Sequence, residues 1–236
     1  MKSILGRSLI LLAFSLFACS PDAQELLRKG KSLMEDGQFA QATDYLDRAI
    51  EQQPDWSEAY NVRAVAYFEQ QKYEEAIEDF SQAIRLDSSL YKPFYNRGNA
   101  HQERGAFQQA LADYSAAIRR QPNIKDIYIN RGVVYFSLEN YQQALEDFNF
   151  ALQLEEEDPV AMLNQAKTLI AMQNWEEALT SLQRLGQLQP SDGNTQYLLG
   201  MAYLQNQQTD AACAALKKAV SLRAENAASV LEQYCQ

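Results

Sequence analysis

Apolar and small residues recur along this chain at helical spacing, and the helical stretches themselves return every 34 residues. In residues 57–90 the first half sets Tyr60, Ala64, Tyr67 and Phe68 on one face by i, i+4, i+7 spacing. Gln71, Lys72 and Tyr73 break that pattern, and the second half gathers Ala76, Ile77, Phe80, Ala83 and Ile84 on one face. Two amphipathic helices joined by a tight turn make a hairpin with an uncovered apolar side. The same order returns down the chain. A small residue (Ala64, Gly98, Gly132, Ala166, Gly200) is followed three positions later by Tyr67, His101, Tyr135, Leu169 or Tyr203. Twelve positions after the small residue stands Ala76, Ala110, Ala144, Ala178 or Ala212, and four further on Phe80, Tyr114, Phe148, Leu182 or Leu216. A fixed period of this length denotes stacked units, each covering the open side of the one before. The small residues let paired helices approach closely and the aromatics fill the wedges, so the aromatics read as core rather than as a cofactor box.

The pattern predicts an all-α array of six hairpins at 23–56, 57–90, 91–124, 125–158, 159–192 and 193–226. In 227–236, Ala227, Val230, Leu231 and Tyr234 share a helical face, which predicts a C-terminal capping helix over the last apolar surface.

These residues resemble the tetratricopeptide repeat family. Repeat two supplies Tyr60, Ala64, Tyr67, Ala76, Phe80 and Ala83, and repeat four Tyr128, Gly132, Tyr135, Ala144, Phe148 and Ala151. Repeat three adds Phe94, Gly98, Ala110, Tyr114, Ala117 and Pro122. The ends depart most: repeat one lacks an aromatic at its fourth position, and Glu156 and Ala224 replace the late proline. The resemblance implies a right-handed α-solenoid whose first helices line a concave groove for an extended peptide or a partner helix. Carried onto this chain, its groove positions fall on Asn61, Phe68, Lys92, Tyr95, Asn96, Asn99, Ile129, Asn130, Val133, Asn164 and Lys167. Asn96, Asn130 and Asn164 recur at one position, and a carboxamide both donates and accepts, which suits a peptide backbone. The alternative is that these amides bond to neighbouring helices. Arg63, Arg97 and Arg131 also recur and read as inter-repeat salt bridges.

Lys2 and Arg7 precede an apolar run, Leu9 to Phe14, that is too short to span a bilayer. Such a segment reads as an export signal. It ends in Leu16, Phe17, Ala18 and Cys19, which resembles the lipobox of bacterial lipoproteins. The resemblance implies a signal peptide at 1–18, acyl chains on Cys19 and a polar tether at 19–22. It further implies a lipid-anchored protein of the bacterial cell envelope, at the outer membrane facing the periplasm. Buried acyl chains contribute roughly 0.8 kcal/mol per methylene to such an anchor.

Removal of Lys2 and Arg7 takes the formal charge from −10 to −12. A chain this acidic, without a basic stripe, is not a nucleic-acid binder. It is also repelled by anionic headgroups, which leaves the lipid as the membrane contact. With Cys19 acylated, Cys213 and Cys235 remain to pair with each other, the alternative being two buried free thiols. Glu155, Glu156, Glu157 and Asp158 read as a solvated turn, because a calcium loop needs spaced ligands and a glycine.

No residue set carries chemistry. His101 is the only histidine and takes a wedge position, and Glu74, Glu75 and Glu78 fall on a polar helical face. There is no phosphate loop and no nucleophile elbow. No cofactor, metal or small-molecule substrate is implied. The reading is a non-enzymatic scaffold or adaptor that binds a protein or peptide, with a regulatory or targeting subunit of an envelope hydrolase or secretion complex as its alternative.

Overall fold

The computed structural model describes residues 21–235. Residues 1–18, expected to be an export signal, and Cys19, expected to be acylated, lie outside the described residues. Helices pair in order as α1 (Ala23–Glu35) with α2 (Phe39–Gln52), α3 (Ser57–Glu69) with α4 (Tyr73–Leu86), and α5 (Tyr91–Glu103) with α6 (Phe107–Arg120). Next come α7 (Lys125–Ser137) with α8 (Tyr141–Leu154), α9 (Pro159–Ala171) with α10 (Trp175–Leu188), and α11 (Gly193–Gln205) with α12 (Thr209–Ser221). A shorter α13 (Ala227–Tyr234) closes the series. Every described element is helical, and the pairs coincide with the 34-residue units.

The hairpin interior follows the repeat pattern position by position. Ala42, Ala76, Ala110, Ala144, Ala178 and Ala212 are all fully buried. So are Leu46, Phe80, Tyr114, Leu182 and Leu216, with Phe148 at 1 %. A Cβ added at Gly132 would stand 2.8 Å from the Phe148 ring, and one at Gly98 2.8 Å from that of Tyr114. The small residue and the large residue sixteen positions later are therefore the two halves of one contact between paired helices.

Each hairpin turn is built the same way. In the first turn of repeat two, Gln71 N–H donates to the Phe68 carbonyl (2.8 Å) and Lys72 N–H to that of Tyr67 (2.9 Å). This is a Schellman ending, which satisfies the orphan carbonyls of the helix and needs a left-handed residue between its two bonds. That residue is Gly37 or Gly105 in two turns, but Gln71, Glu139, Gln173 and Gln207 in the other four, at φ near 60°. Odd helices start differently. Asp22, Asp158 and Asp192 cap α1, α9 and α11 with their carboxylates, whereas Trp56, Leu90 and Ile124 occupy the cap positions of α3, α5 and α7 without a side-chain bond.

Sequential helices pack on one another throughout, and odd helices also touch along the row α1, α3, α5, α7, α9. No even pair packs to that extent among the described residues. Close contact on one side and splay on the other bend the stack, with the odd helices inside the curve.

Three expectations need correction. Glu155 to Asp158 are not simply solvated: Asp158 is buried, caps α9 at Ala161 N–H (2.8 Å) and pairs with Lys125, which also holds Glu155 at 2.8 Å. The recurring arginines, expected to form inter-repeat salt bridges, do so only at Arg63, which reaches Asp47 of the previous repeat (2.7 Å), and each finds its main partner inside its own repeat. Arg63 forks onto Asp79, Arg97 onto Asp113 and Arg131 onto Asp147, each with both carboxylate oxygens between 2.6 and 2.8 Å. A third nitrogen then reaches back to the previous repeat, at Asp47, Ser81 or Ser115. Ile129, expected in the groove, is only 6 % exposed, because it packs in a cluster with Tyr128, Phe148 and Ala161.

Candidate functional site

The inner row of odd helices is polar at its centre and apolar on either side. At the centre, the Tyr114 hydroxyl lies 2.8 Å from Asn99 Oδ1 and 2.7 Å from Gln102 Oε1, and its one proton serves either. Asn130 Nδ2 donates to Asn99 Oδ1 (3.0 Å) and to the Tyr95 hydroxyl (3.1 Å). Burial pushes the Tyr114 and Tyr95 phenols above their usual range, so both stay protonated. Asn130 thus ties α7 to α5, which decides its amide for the neighbouring helix. Asn96 and Asn164 make no such side-chain bond among those found.

Toward the N-terminus, Val65, Phe68, Phe80, Asn96 and Asn99 line a pocket of about 120 Å³. Next to it a larger cleft of about 620 Å³ is lined by Asn61, Leu90, Tyr91 and Pro93, with Lys92 and Arg120. The Asn61 side-chain oxygen is buried without a donor. Arg120 is already held, stacked 3.8 Å over the Phe94 ring and bonded to the Ser88 carbonyl at 2.6 Å. Toward the C-terminus, Val133, Phe136, Leu163, Ile170, Met201 and Leu204 are half-buried at matching helical positions, with Lys167 exposed among them. Of the residues placed in the groove from sequence, Lys92 and Lys167 are exposed, Ile129 is buried and the others are half-buried, with the Asn99 oxygen and the Asn130 amide spent on one another.

Charge is sorted between the two rows. Odd helices carry nine Lys or Arg against seven Asp or Glu, a balance of +2, while even helices carry seven against thirteen, a balance of −6. This sorting was missed in the sequence, although the acids of the second helices and the lysines of the first were visible there.

His101 occupies the wedge position held by Tyr67 and Tyr135 in adjacent repeats. Burial holds its imidazole below the ordinary histidine range, partly offset by Asp113 at 3.8 Å and reinforced by Arg97 and Arg104. Its Nδ1 is buried without a partner. Among the described residues no group of His, Cys, Asp and Glu is placed to hold a metal.

Tetratricopeptide repeat family models match residues 27–90 and 163–228 with one and 91–124 and 126–158 with another. The chain belongs to the tetratricopeptide repeat family. Proteins of this family are in general non-enzymatic scaffolds for protein–protein interaction, which agrees with the groove described above. No match was found among curated proteins. Solved structures share the fold at low identity. YrrB, described as a tetratricopeptide repeat protein with an unusual peptide-binding site, is 23% identical with a TM-score of 0.72, over 79% of this chain and 97% of that one. PilF of Pseudomonas aeruginosa is 20% identical with a TM-score of 0.71, over 83% and 89%. A tetratricopeptide repeat protein of Parabacteroides merdae is 20% identical with a TM-score of 0.66, over 91% and 99%.

Proposed function

We propose that this tetratricopeptide repeat protein is a non-enzymatic scaffold of the bacterial cell envelope, tethered to the outer membrane through acyl chains on Cys19, which binds a protein or peptide in its concave groove. The observation that carries the groove is the collection of accessible Phe68, Tyr95, Asn96 and Val133 on the inner row. Apolar side chains anchor a partner and unpaired carboxamides bond its backbone. Cys19 and the residues before it carry the membrane part of the reading.

Photocrosslinking in cells tests the groove. Val133 is the better position for the reactive residue, because the Asn130 amide is spent on α5. One discrete partner should be captured from Val133, and Phe68→Glu should abolish capture. Undiminished capture in Phe68→Glu places the partner elsewhere. Labelling with a clickable fatty acid tests the anchor, and Cys19→Ser should remove both label and membrane fractionation.

A further inference from the structure

The array has two long edges. One carries the hairpin turns; the other is where each even helix ends and the next odd helix begins. The chain enters at this second edge: Asp22 caps α1, and the Pro21 carbonyl accepts from Gln52 Nε2 at the end of α2 (3.2 Å). Seven large apolar side chains are exposed among the described residues, and five of them lie on this entry edge. Leu86, Leu154 and Leu188 are the last residues of α4, α8 and α10, Leu90 precedes α5, and Val160 stands in the first turn of α9. Leu90 is 45% exposed and Val160 55%. The hairpin-turn edge carries only Met172, among Gln71, Gln173, Asn206, Gln207 and Gln208. Exposed apolar groups sorted to one edge mark a contact surface.

We propose that this entry edge rests on the lipid bilayer. The inference builds on the reading of Cys19 as the acylated residue. Three residues lead from Cys19 to Asp22, and an extended chain of that length spans about 10 Å at most, so the N-terminal end of this edge is held beside the headgroups. A single tether leaves the array free to pivot, and the row of leucines and Val160 decides which side meets the lipid. Asp55, Asp87, Glu155, Glu156, Glu157 and Asp192 stand on the same edge, so the fitting surface is zwitterionic rather than anionic.

The two tryptophans report the two edges: Trp56 precedes α3 on the entry edge, and Trp175 opens α10 on the hairpin-turn edge. The full chain is purified from membranes in detergent, its Cys19 peptide is weighed by mass spectrometry, and the protein is placed in phosphatidylcholine vesicles with and without brominated acyl chains. With Trp56 alone (Trp175→Phe), bromine should quench the emission at least about two-fold, as for an indole at headgroup level. With Trp175 alone (Trp56→Phe), quenching should be absent. Leu90→Glu with Val160→Glu, both at exposed sites, should reduce the Trp56 quenching. Equal or absent quenching with Cys19 acylated overturns the edge contact and leaves the anchor standing. An unacylated Cys19 overturns both. Self-association of the detergent-free domain that Leu90→Glu abolishes would assign the edge to a second copy and overturn the lipid contact.

Discussion

At the scale of single residues, the repeat is held by two complementary pairs that a mutation can separate. The first is steric. Gly132 exists because the Phe148 ring occupies the space of its Cβ. Alanine gains about 1 kcal/mol of helix propensity over glycine. Ala64 faces Phe80 at the equivalent position, so that exchange is tolerated. Gly132→Leu overfills the contact and should cost about 3 kcal/mol, read as a lower urea midpoint. The second pair is ionic. Arg131 forks onto buried Asp147, whose carboxyl burial pushes up and the arginine pulls back down. Arg131→Met strands that acid and should cost about 3 kcal/mol, most of it recovered when Asp147→Leu is added. His101 gives a pH signature. Its folded-state pKa lies below 6.5, so the unfolded chain binds the proton more readily. Its contribution is whole above pH 6.5 and is lost as pH falls below that value. His101→Tyr, the residue of the adjacent repeats, should flatten the decline in melting temperature between pH 7.5 and 5.5.

At the scale of elements, stability turns on how odd helices stop. The Schellman turn demands a left-handed residue, and four of six turns place a glutamine or glutamate there. A side chain in that conformation costs roughly 1 kcal/mol or more relative to glycine. Glu139→Gly and Gln173→Gly should therefore each raise the unfolding free energy by about 0.5 to 1 kcal/mol, after the extra chain entropy of glycine is subtracted. Denaturant titration checks both, and unchanged midpoints would mean the turns carry no strain. The turns were legible as breaks in periodicity, at Gln71 to Tyr73 for instance. Their handedness was not, because glycine marks it only at Gly37 and Gly105.

At the scale of the whole molecule, a stack in which each hairpin meets only its neighbours confines damage to its vicinity. The polar ladder of Arg63, Arg97 and Arg131 continues as Gln165 bonded to Ser181 (2.6 Å) and ends at Leu199 and Ala215, which are apolar. The C-terminal end relies instead on α13. In that helix only Ala227 is buried, and it is joined to α12 through Cys213 and Cys235, whose Cα atoms lie 5.6 Å apart. Closing a loop of 22 residues contributes about 3 kcal/mol in the chain-entropy model. Reduction, or Cys235→Ser, should free the amides of α13 to exchange while α3 to α8 keep their protection. Hydrogen exchange by mass spectrometry reads both regions in one sample.

The period alone determined the helical hairpin, the number of repeats and the alanines, glycines and aromatics that fill the core, because every unit must present the same face to its neighbour. The proposal of an export signal and of acyl chains on Cys19 rests on the sequence alone. Tertiary packing decided what periodicity cannot express. It chose Asp79, Asp113 and Asp147 as the arginine partners, since an arginine and an acid sixteen residues apart in sequence meet only when two helices fold back on each other. It withdrew Ile129 and the Asn130 amide from the groove, because a helical position shows which way a side chain points but not what already stands there. It also set five exposed apolar residues from three repeats along one edge, where only the stacking of whole hairpins could align them.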